Sequence, residues 1–243
     1  MIPDWPPGLG RVICHSLDST NSEAARRARA GETPLWVLAH EQTHGRGRRG
    51  NPWKGANDGN FAASLMTRPR YPLPEWAQLS FVAALALHDV LSGLAPRAEV
   101  RLKWPNDLLV GGKKISGILL ETEGDALILG VGVNLASAPA DEPGATCLAA
   151  ISRTVPTPEA FLDLLAPAFV VREARHIAHG FAATRADWLE RASGLGEPIV
   201  ARLPGAEHRG IFEDVDETGA LVLNTGRERL ALAAAQVYFG TEG

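Results

Sequence analysis

Gly45-Arg46-Gly47-Arg48-Arg49-Gly50 runs directly into Asn51-Pro52-Trp53-Lys54-Gly55-Ala56-Asn57-Asp58-Gly59. The first six residues match the glycine spacing of a dinucleotide-binding turn, and the next nine rule that turn out. The fingerprint needs a helix to open at the loop, so that its N-terminus faces the pyrophosphate. A stretch holding Pro52, Gly55 and Gly59 cannot be that helix. No acidic residue stands about twenty positions further on, and no Gly-Lys-Ser/Thr makes it a Walker loop. Both phosphate-turn readings fail, and a long basic loop remains. Its glycines let backbone approach a ligand, and guanidinium forks pair with carboxylate and phosphate. A solvated basic loop or a loop for single-stranded nucleic acid would read the same way.

Working outward, the neighbours of the loop are short strands and few helices. Val12-Ile13 and Val37-Leu38-Ala39 read as strands flanking a helix from about Ser22 to Ala30, and Phe61 to Met66 reads as another strand. Trp76, Leu79, Val82, Ala83, Leu87, Val90 and Leu91 recur at helical spacing, in a helix that Gly93 is expected to end. Val100 to Trp104, Leu108 to Val110, Ile115 to Leu120 and Leu127 to Val133 form a meander, with Gly111-Gly112 as a hairpin turn. Residues 157–192 are helical in character, with interruptions expected near Pro167 and Gly180. From Glu197 on, short strands separated by turns such as Asp216-Glu217-Thr218-Gly219 predict a small, bent β-barrel. Gly194-Leu195-Gly196 marks the boundary, giving units 1–194 and 195–243. The class is α+β: a mixed or antiparallel sheet with helices, followed by a small β module.

Composition bounds the partners. Among 243 residues, 45% are hydrophobic and 21% charged, ordinary for a globular chain, and the net charge is −4. A mildly acidic body offers duplex DNA no global positive field, so a small anionic ligand suits the local basic loop better. Cys14 and Cys147 form no framework spacing and read as free thiols in a reducing compartment. The first residues lack a charged region followed by an apolar one, and no run of about 20 apolar residues is evident, so a cytoplasmic protein without a membrane partner is expected.

A second cluster lies in the meander. Lys103-Trp104-Pro105-Asn106-Asp107 is followed, one hairpin later, by Lys114-Ile115-Ser116-Gly117. Pro105 stops a strand and Asn106-Asp107 suit a turn, so amide, carboxylate and ammonium groups gather at strand ends. Each piece alone reads as a plain turn or an exposed turn lysine. Thr20-Asn21-Ser22-Glu23 likewise reads as a capping box for the first helix.

Taken together, these segments resemble the biotin protein ligase family. The resemblance runs in order through Asp18 to Asn21, Gln42, Gly45 to Gly50, Trp53, Asn60 with Ser64, Lys103 to Asp107, Lys114 to Gly117 and Gly130 to Asn134. It implies a class II synthetase-like catalytic domain followed by an SH3-like barrel. It implies an enzyme that makes biotinyl-5′-AMP from biotin and ATP with Mg²⁺, then passes biotin to a lysine of a biotin carboxyl carrier protein domain. A related lipoate or acyl ligase, or a non-catalytic biotin sensor, are the alternatives. Under the resemblance Ser19, Thr20, Gln42, Gly45, Arg46, Arg48, Lys114, Gly117 and Gly130 bind biotin. Arg48, Arg49, Trp53, Asn106, Lys114 and Asn134 bind the nucleotide. Lys114, Arg48 and Asp107 are the catalytic candidates, and Asp107 the Mg²⁺ candidate. The chain departs from the family pattern at Asn51, where arginine is frequent, and at His44, where a small residue is frequent. Without a helix-turn-helix ahead of the first strand, a monofunctional ligase is expected, with no DNA partner. Pairing of two copies through the central sheet is known in the family.

Overall fold

The computed structural model describes residues 4–54 and 59–239, apart from the side chain of Arg49. Seven strands form one sheet: β1 (Gly10–Leu17), β2 (Leu35–Gln42), β3 (Phe61–Thr67), β4 (Val100–Lys103), β5 (Asp107–Val110), β6 (Lys113–Glu123) and β7 (Ala126–Val133). Their order is β1-β2-β3-β7-β6-β5-β4. Only β1 and β2 are parallel, joined by helix α1 (Thr20–Arg29), and every other pair is antiparallel, which makes the sheet mixed.

Alternation along the strands decides what each face does. In β7 the odd positions Leu127, Leu129, Val131 and Val133 enter the main core, while Ala126 and Ile128 pack on the other face with Ala24 and Ala28 of α1. The core face is covered by α2 (Leu79–Leu94) and α3 (Pro158–Leu189), whose Phe161, Leu162, Leu165 and Phe169 are all buried. On the opposite face α1 covers one end only. Beyond it, Gly130 and Gly132 of β7 and Gly117 of β6 leave the sheet without side chains, and this bare stretch positions the site.

Three sequence expectations change in the first unit. Gly93 does not end α2; the helix runs to Leu94 and stops as the chain approaches Pro96, where the residue ahead of proline is steered away from helix. Pro167 lies within α3, and the break falls at Gly180 alone, whose φ of 71° is left-handed. Leu73–Leu94 is, by length and composition, apolar enough to cross a membrane. Its composition follows from burial on several sides: the sheet, α3 and the turn at Gly219, which presses on Phe81, enclose α2. The Gly111-Gly112 turn has φ of 56° and 77°, the left-handed pair a tight hairpin demands.

The second sheet holds β8 (Pro198–Leu203), β9 (Ala206–Val215), β10 (Leu221–Asn224), β11 (Arg229–Leu232) and β12 (Gln236–Phe239), all antiparallel, in the order β11-β10-β9-β8-β12. It is an open sheet with β11 and β12 at its edges, where closure into a barrel was expected. It seats on the first sheet through shared core residues and named polar ties. Trp104 Nε1 donates to the Gly219 carbonyl at 3.0 Å, Arg185 of α3 pairs with Asp214 of β9, and ahead of the second sheet Ser193 N donates to the Leu102 carbonyl at 2.7 Å.

Candidate active site

The register places one row of residues straight across the sheet. Ala62 of β3 pairs with Gly132, Gly132 with Gly117, Gly117 with Asp107, and Asp107 with Lys103. A parallel row runs Val37, Ser64, Gly130, Leu119. The two rows carry Ala62, Ser64 and three glycines at their centre and make the floor of a trough, and the first row leads onto a carboxylate and then an ammonium. The trough lies in a cleft of about 480 Å³. Its walls are the start of α1, the loop 46–54, the turn Trp104–Asn106, the segment after β7, and residues 235–238 at the start of β12.

At the α1 end the polar groups form one network. Thr20 N and Oγ1 donate to Gln42 Oε1 at 2.7 and 3.0 Å, and Ser64 Oγ lies 2.7 Å from Thr20 Oγ1 and 2.5 Å from Asn21 Oδ1. Asn21 Nδ2 donates to Glu121 Oε2 at 2.7 Å. Glu121 then holds Arg46 in a fork, with Nε at 3.0 Å and Nη2 at 2.8 Å, while Arg46 Nη1 donates to Ser22 Oγ at 2.8 Å. Burial would push the Glu121 carboxyl up, but Arg46 and Asn21 hold it below its ordinary value. The capping box does not form. Ser19, not Thr20, is the N-cap, its side chain makes no capping bond, and Glu23 pairs with Arg26 and Arg27 instead. Asp18 accepts from Ser19 N at 2.8 Å, which fixes the turn ahead of α1.

The basic loop is folded over the trough. Arg46 bridges to Pro52, Gly47 N donates to the Asn51 carbonyl at 2.7 Å, and Trp53 N donates to the Gly45 carbonyl at 2.9 Å. The indole of Trp53 lies directly on Gly132: a Cβ there would stand 2.3 Å from the ring. Lys54 pairs with Asp141 across the cleft, tying the loop to the segment after β7.

At the other end Lys114 Nζ lies 2.7 Å from Asp107 Oδ1, both standing over Gly117, and 5.9 Å from the centre of the Trp53 ring. Arg48 Nη1 reaches Asn106 Oδ1 at 3.5 Å, and Asn106 is itself clamped by exchanging bonds with Ile118. Asn134, 3% exposed, donates to the Thr146 carbonyl at 3.0 Å, while its buried Oδ1 has no partner.

The cleft therefore gathers Ser19, Thr20, Gln42, Arg46, Arg48, Trp53, Asn106, Asp107, Lys114, Gly117, Gly130 and Asn134. Gly45 lies on the far side of the loop, lining a smaller cleft; a Cβ there would meet the Gln42 amide nitrogen at 2.9 Å. The Arg49 side chain lies outside the described residues. Asn21, Ser64, Glu121 and Gly132 are additions that motif spacing did not assign to the site. Among the described residues no group of three or more histidine, cysteine or acidic side chains could hold a metal, and Asp107 already faces an ammonium. The residues present do not make a protein-held Mg²⁺ site. What they offer is a slot for a flat or narrow organic body, ending among cations suited to carboxylate and phosphate.

Residues 12–135 match the biotin/lipoate A/B protein ligase family, and residues 194–240 match the biotin protein ligase C terminal domain. A biotin–[acetyl-CoA-carboxylase] ligase of Paracoccus denitrificans is 50% identical over 236 residues, spanning 92% of this chain and 98% of that protein. The corresponding ligase of Mycobacterium tuberculosis is 34% identical over 228 residues, spanning 90% and 85%. In fold, the chain is similar to a biotin protein ligase from Aquifex aeolicus in complex with biotin and ATP, with a TM-score of 0.84 at 23% identity, covering 95% of this chain and 99% of that one. With half of all positions identical across nearly the full length of both proteins, and both halves of the chain matched in order, the chain belongs to the biotin protein ligases of the biotin/lipoate A/B protein ligase family.

Proposed function

We propose that this protein activates biotin with ATP to biotinyl-5′-AMP and passes the biotinyl group to a lysine of a biotin carboxyl carrier protein domain. The observation that carries the reading is the row Gly132-Gly117-Asp107, where glycine backbone lets Trp53 and Lys114 pack close to the sheet beside the Lys114–Asp107 pair. The ring system lies at the α1 end of the trough with its ureido group toward Ser19, Thr20 and Gln42, and Trp53, whose indole rests on Gly132 in this structure, lifts to admit it. Thr20 is bonded on both sides of its hydroxyl, so it sets the Gln42 amide rather than acting alone. The valeryl chain runs over Gly117 and delivers its carboxylate to Lys114.

A carboxylate is repelled by the phosphate it must attack. The Lys114 ammonium between them lowers that repulsion and stabilises the charge that gathers in the transition state. A carboxylate oxygen bonds to the α-phosphorus, the bond from that phosphorus to the bridging oxygen breaks, and pyrophosphate leaves with the electron pair. Arg48 and Arg49 hold phosphate, Asn106 and Asn134 hold the nucleotide, and Trp53 covers the ligand. Mg²⁺ travels on the triphosphate, since a hard cation takes substrate phosphates and water where the protein supplies few carboxylates. In the second step the acceptor amine bonds to the acyl carbon and AMP departs. That amine starts from a pKa of about 10.4, and Asp107, beside Lys114, receives or orients its proton. Residues 1–194 act as the class II synthetase-like unit and 195–243 as an SH3-like module. The outer edge of β1 suits pairing with a second copy.

Mixing the purified protein with biotin, ATP and Mg²⁺ and analysing the products by mass spectrometry tests the reading. Biotinyl-5′-AMP is expected. Biotin bound but unreacted would instead indicate a sensor, and no biotin bound would direct the search to lipoate and other acids.

A further inference from the structure

Lys103 is the end of the cross-strand row, and the roles above leave it unused. It pairs with Asp107 across β4 and β5, so both side chains stand on the cleft face of the sheet. The side chain is half-buried and lines the cleft. Its ammonium lies 5.3 Å from the Phe239 ring centre and 5.9 Å from that of Tyr238, both on β12 of the second sheet. Among the described residues no carboxylate forms an ion pair with it. Burial and the neighbouring Lys114 pull its pKa below the ordinary lysine value, while Asp107 works against them. A half-buried ammonium held by two rings and facing an open cleft is a site for an anion.

The row says which anion. Adjacent strands lie about 4.8 Å apart, so Lys103 is two strands, roughly 10 Å, beyond the Gly117 position where Lys114 meets the carboxylate. Phosphoryl displacement runs in line, with the attacking and leaving oxygens on opposite sides of phosphorus. An acid that lies along the row from β7 toward β5 pushes its leaving group onward, toward β4. Resting on the ligase reading above, we propose that Lys103 receives the departing pyrophosphate, and that Tyr238 and Phe239 of the second sheet hold its ammonium there. The bond from the α-phosphorus to the bridging oxygen breaks as the carboxylate bond forms, and the resulting pyrophosphate oxygens face Lys103. In reverse, pyrophosphate held by Lys103 attacks the adenylate phosphorus and biotin carboxylate leaves.

The two half-reactions separate this role from any other. Wild-type protein is first shown to make biotinyl-5′-AMP from biotin and ATP; failure there overturns the ligase reading itself and is independent of Lys103. Lys103→Met and Lys103→Arg are then compared in two assays on the full chain. In the first, supplied biotinyl-5′-AMP and pyrophosphate are converted to ATP, and the KM for pyrophosphate is read. In the second, supplied biotinyl-5′-AMP biotinylates a carrier domain with no pyrophosphate present. Loss of one charged contact predicts a KM for pyrophosphate about ten- to a hundredfold higher in Lys103→Met, with Lys103→Arg recovering most of it. The transfer rate should stay within about twofold, because pyrophosphate takes no part in it. An unchanged KM for pyrophosphate in Lys103→Met overturns the assignment, as does a transfer rate that falls as far as the reversal. If Lys103→Met does not fold, the Tyr238→Leu and Phe239→Leu variants carry the test: releasing the ammonium from its rings must also raise the KM for pyrophosphate, and no change in either refutes the proposal.

Discussion

Replacing Gly130 with alanine should damage both the fold and the site, by an amount that follows from its neighbours. The added Cβ would stand 2.3 Å from Asn21 Oδ1, 3.0 Å from Cγ and 3.2 Å from Nδ2. Asn21 is 3% exposed and cannot swing outward; its Nδ2 is bonded to the Glu121 carboxylate and its Oδ1 faces Ser64. Clearing the methyl breaks the charged bond, worth about 1.5–3 kcal/mol, and the neutral one, worth about 0.5–1.5 kcal/mol. Relaxation recovers part of this, and overpacked cores lose about 1–3 kcal/mol, so about 3 kcal/mol is expected. For a chain of this size each kcal/mol moves Tm by roughly 2–4 °C, giving a drop of about 6–12 °C in a circular dichroism melt. Biotin titration calorimetry should show weaker binding, because the methyl also fills the trough. Gly144→Ala is the control, as no atom stands within 4 Å of its Cβ position. A Gly130→Ala protein that melts within about 2 °C of wild type and binds biotin as tightly would refute the claim that this glycine is required by close approach.

Gly93 is exposed, lies inside α2 and has nothing within 4 Å of its Cβ position, so Gly93→Ala should raise stability by up to about 1 kcal/mol in urea unfolding. Lys114→Ala should lower the rate of biotinyl-5′-AMP formation at least about a hundredfold with Tm little changed; a fully active variant removes Lys114 from the chemistry. Hydrogen bonding from Arg26 holds the Asp18 carboxyl at about 2, against 3.8 ordinarily, with burial opposing and Ser19 N–H assisting. A depressed acid stabilises the fold fully above its unfolded pKa and less as pH falls toward the folded one. Asp18→Asn should therefore flatten the stability slope between pH 3.8 and about 2, measured by urea midpoints at each pH; an unchanged slope counts against the Asp18 bonds. The Arg46–Glu121 fork is about one-third exposed, so an Arg46→Ala and Glu121→Gln double-mutant cycle should give a coupling of only about 0.5–1 kcal/mol in stability.

Much of this architecture was legible from local chemistry. Pro52 and the glycines after Gly50 excluded a dinucleotide turn, and residues 46–54 form a loop folded over the sheet. Gly111-Gly112 announced a hairpin because two consecutive left-handed residues need glycine. The additions to the site were not legible for a different reason. Asn21, Ser64, Glu121 and Gly132 come from one helix and three strands, and each looks locally ordinary; only pairing register brings them together. Ser64 becomes a bridge between Thr20 and Asn21 because β3 pairs with β7, opposite Gly130. The end of α2 falls one residue past Gly93, because the stop comes from Pro96 rather than from the glycine. The second sheet was legible as strands and turns, but whether it closes depends on edges β11 and β12, which no local signal specifies.

The alternation in β7 has an evolutionary consequence. Residues 127, 129, 131 and 133 carry the core, while 130 and 132 line the cleft, and both sets are held by close packing. Together with Ala62 and Leu119 from the neighbouring strands, these positions set the depth and width offered to the acid. Gly130 and Gly132 themselves have no room to vary, because Asn21 and Trp53 press on them, so any change in the acid accepted must come from Ala62, Leu119 or the walls. A slip of one residue would exchange the two sets at once and destroy both. The floor of such a site is as constrained as its core, and its walls are where it can change.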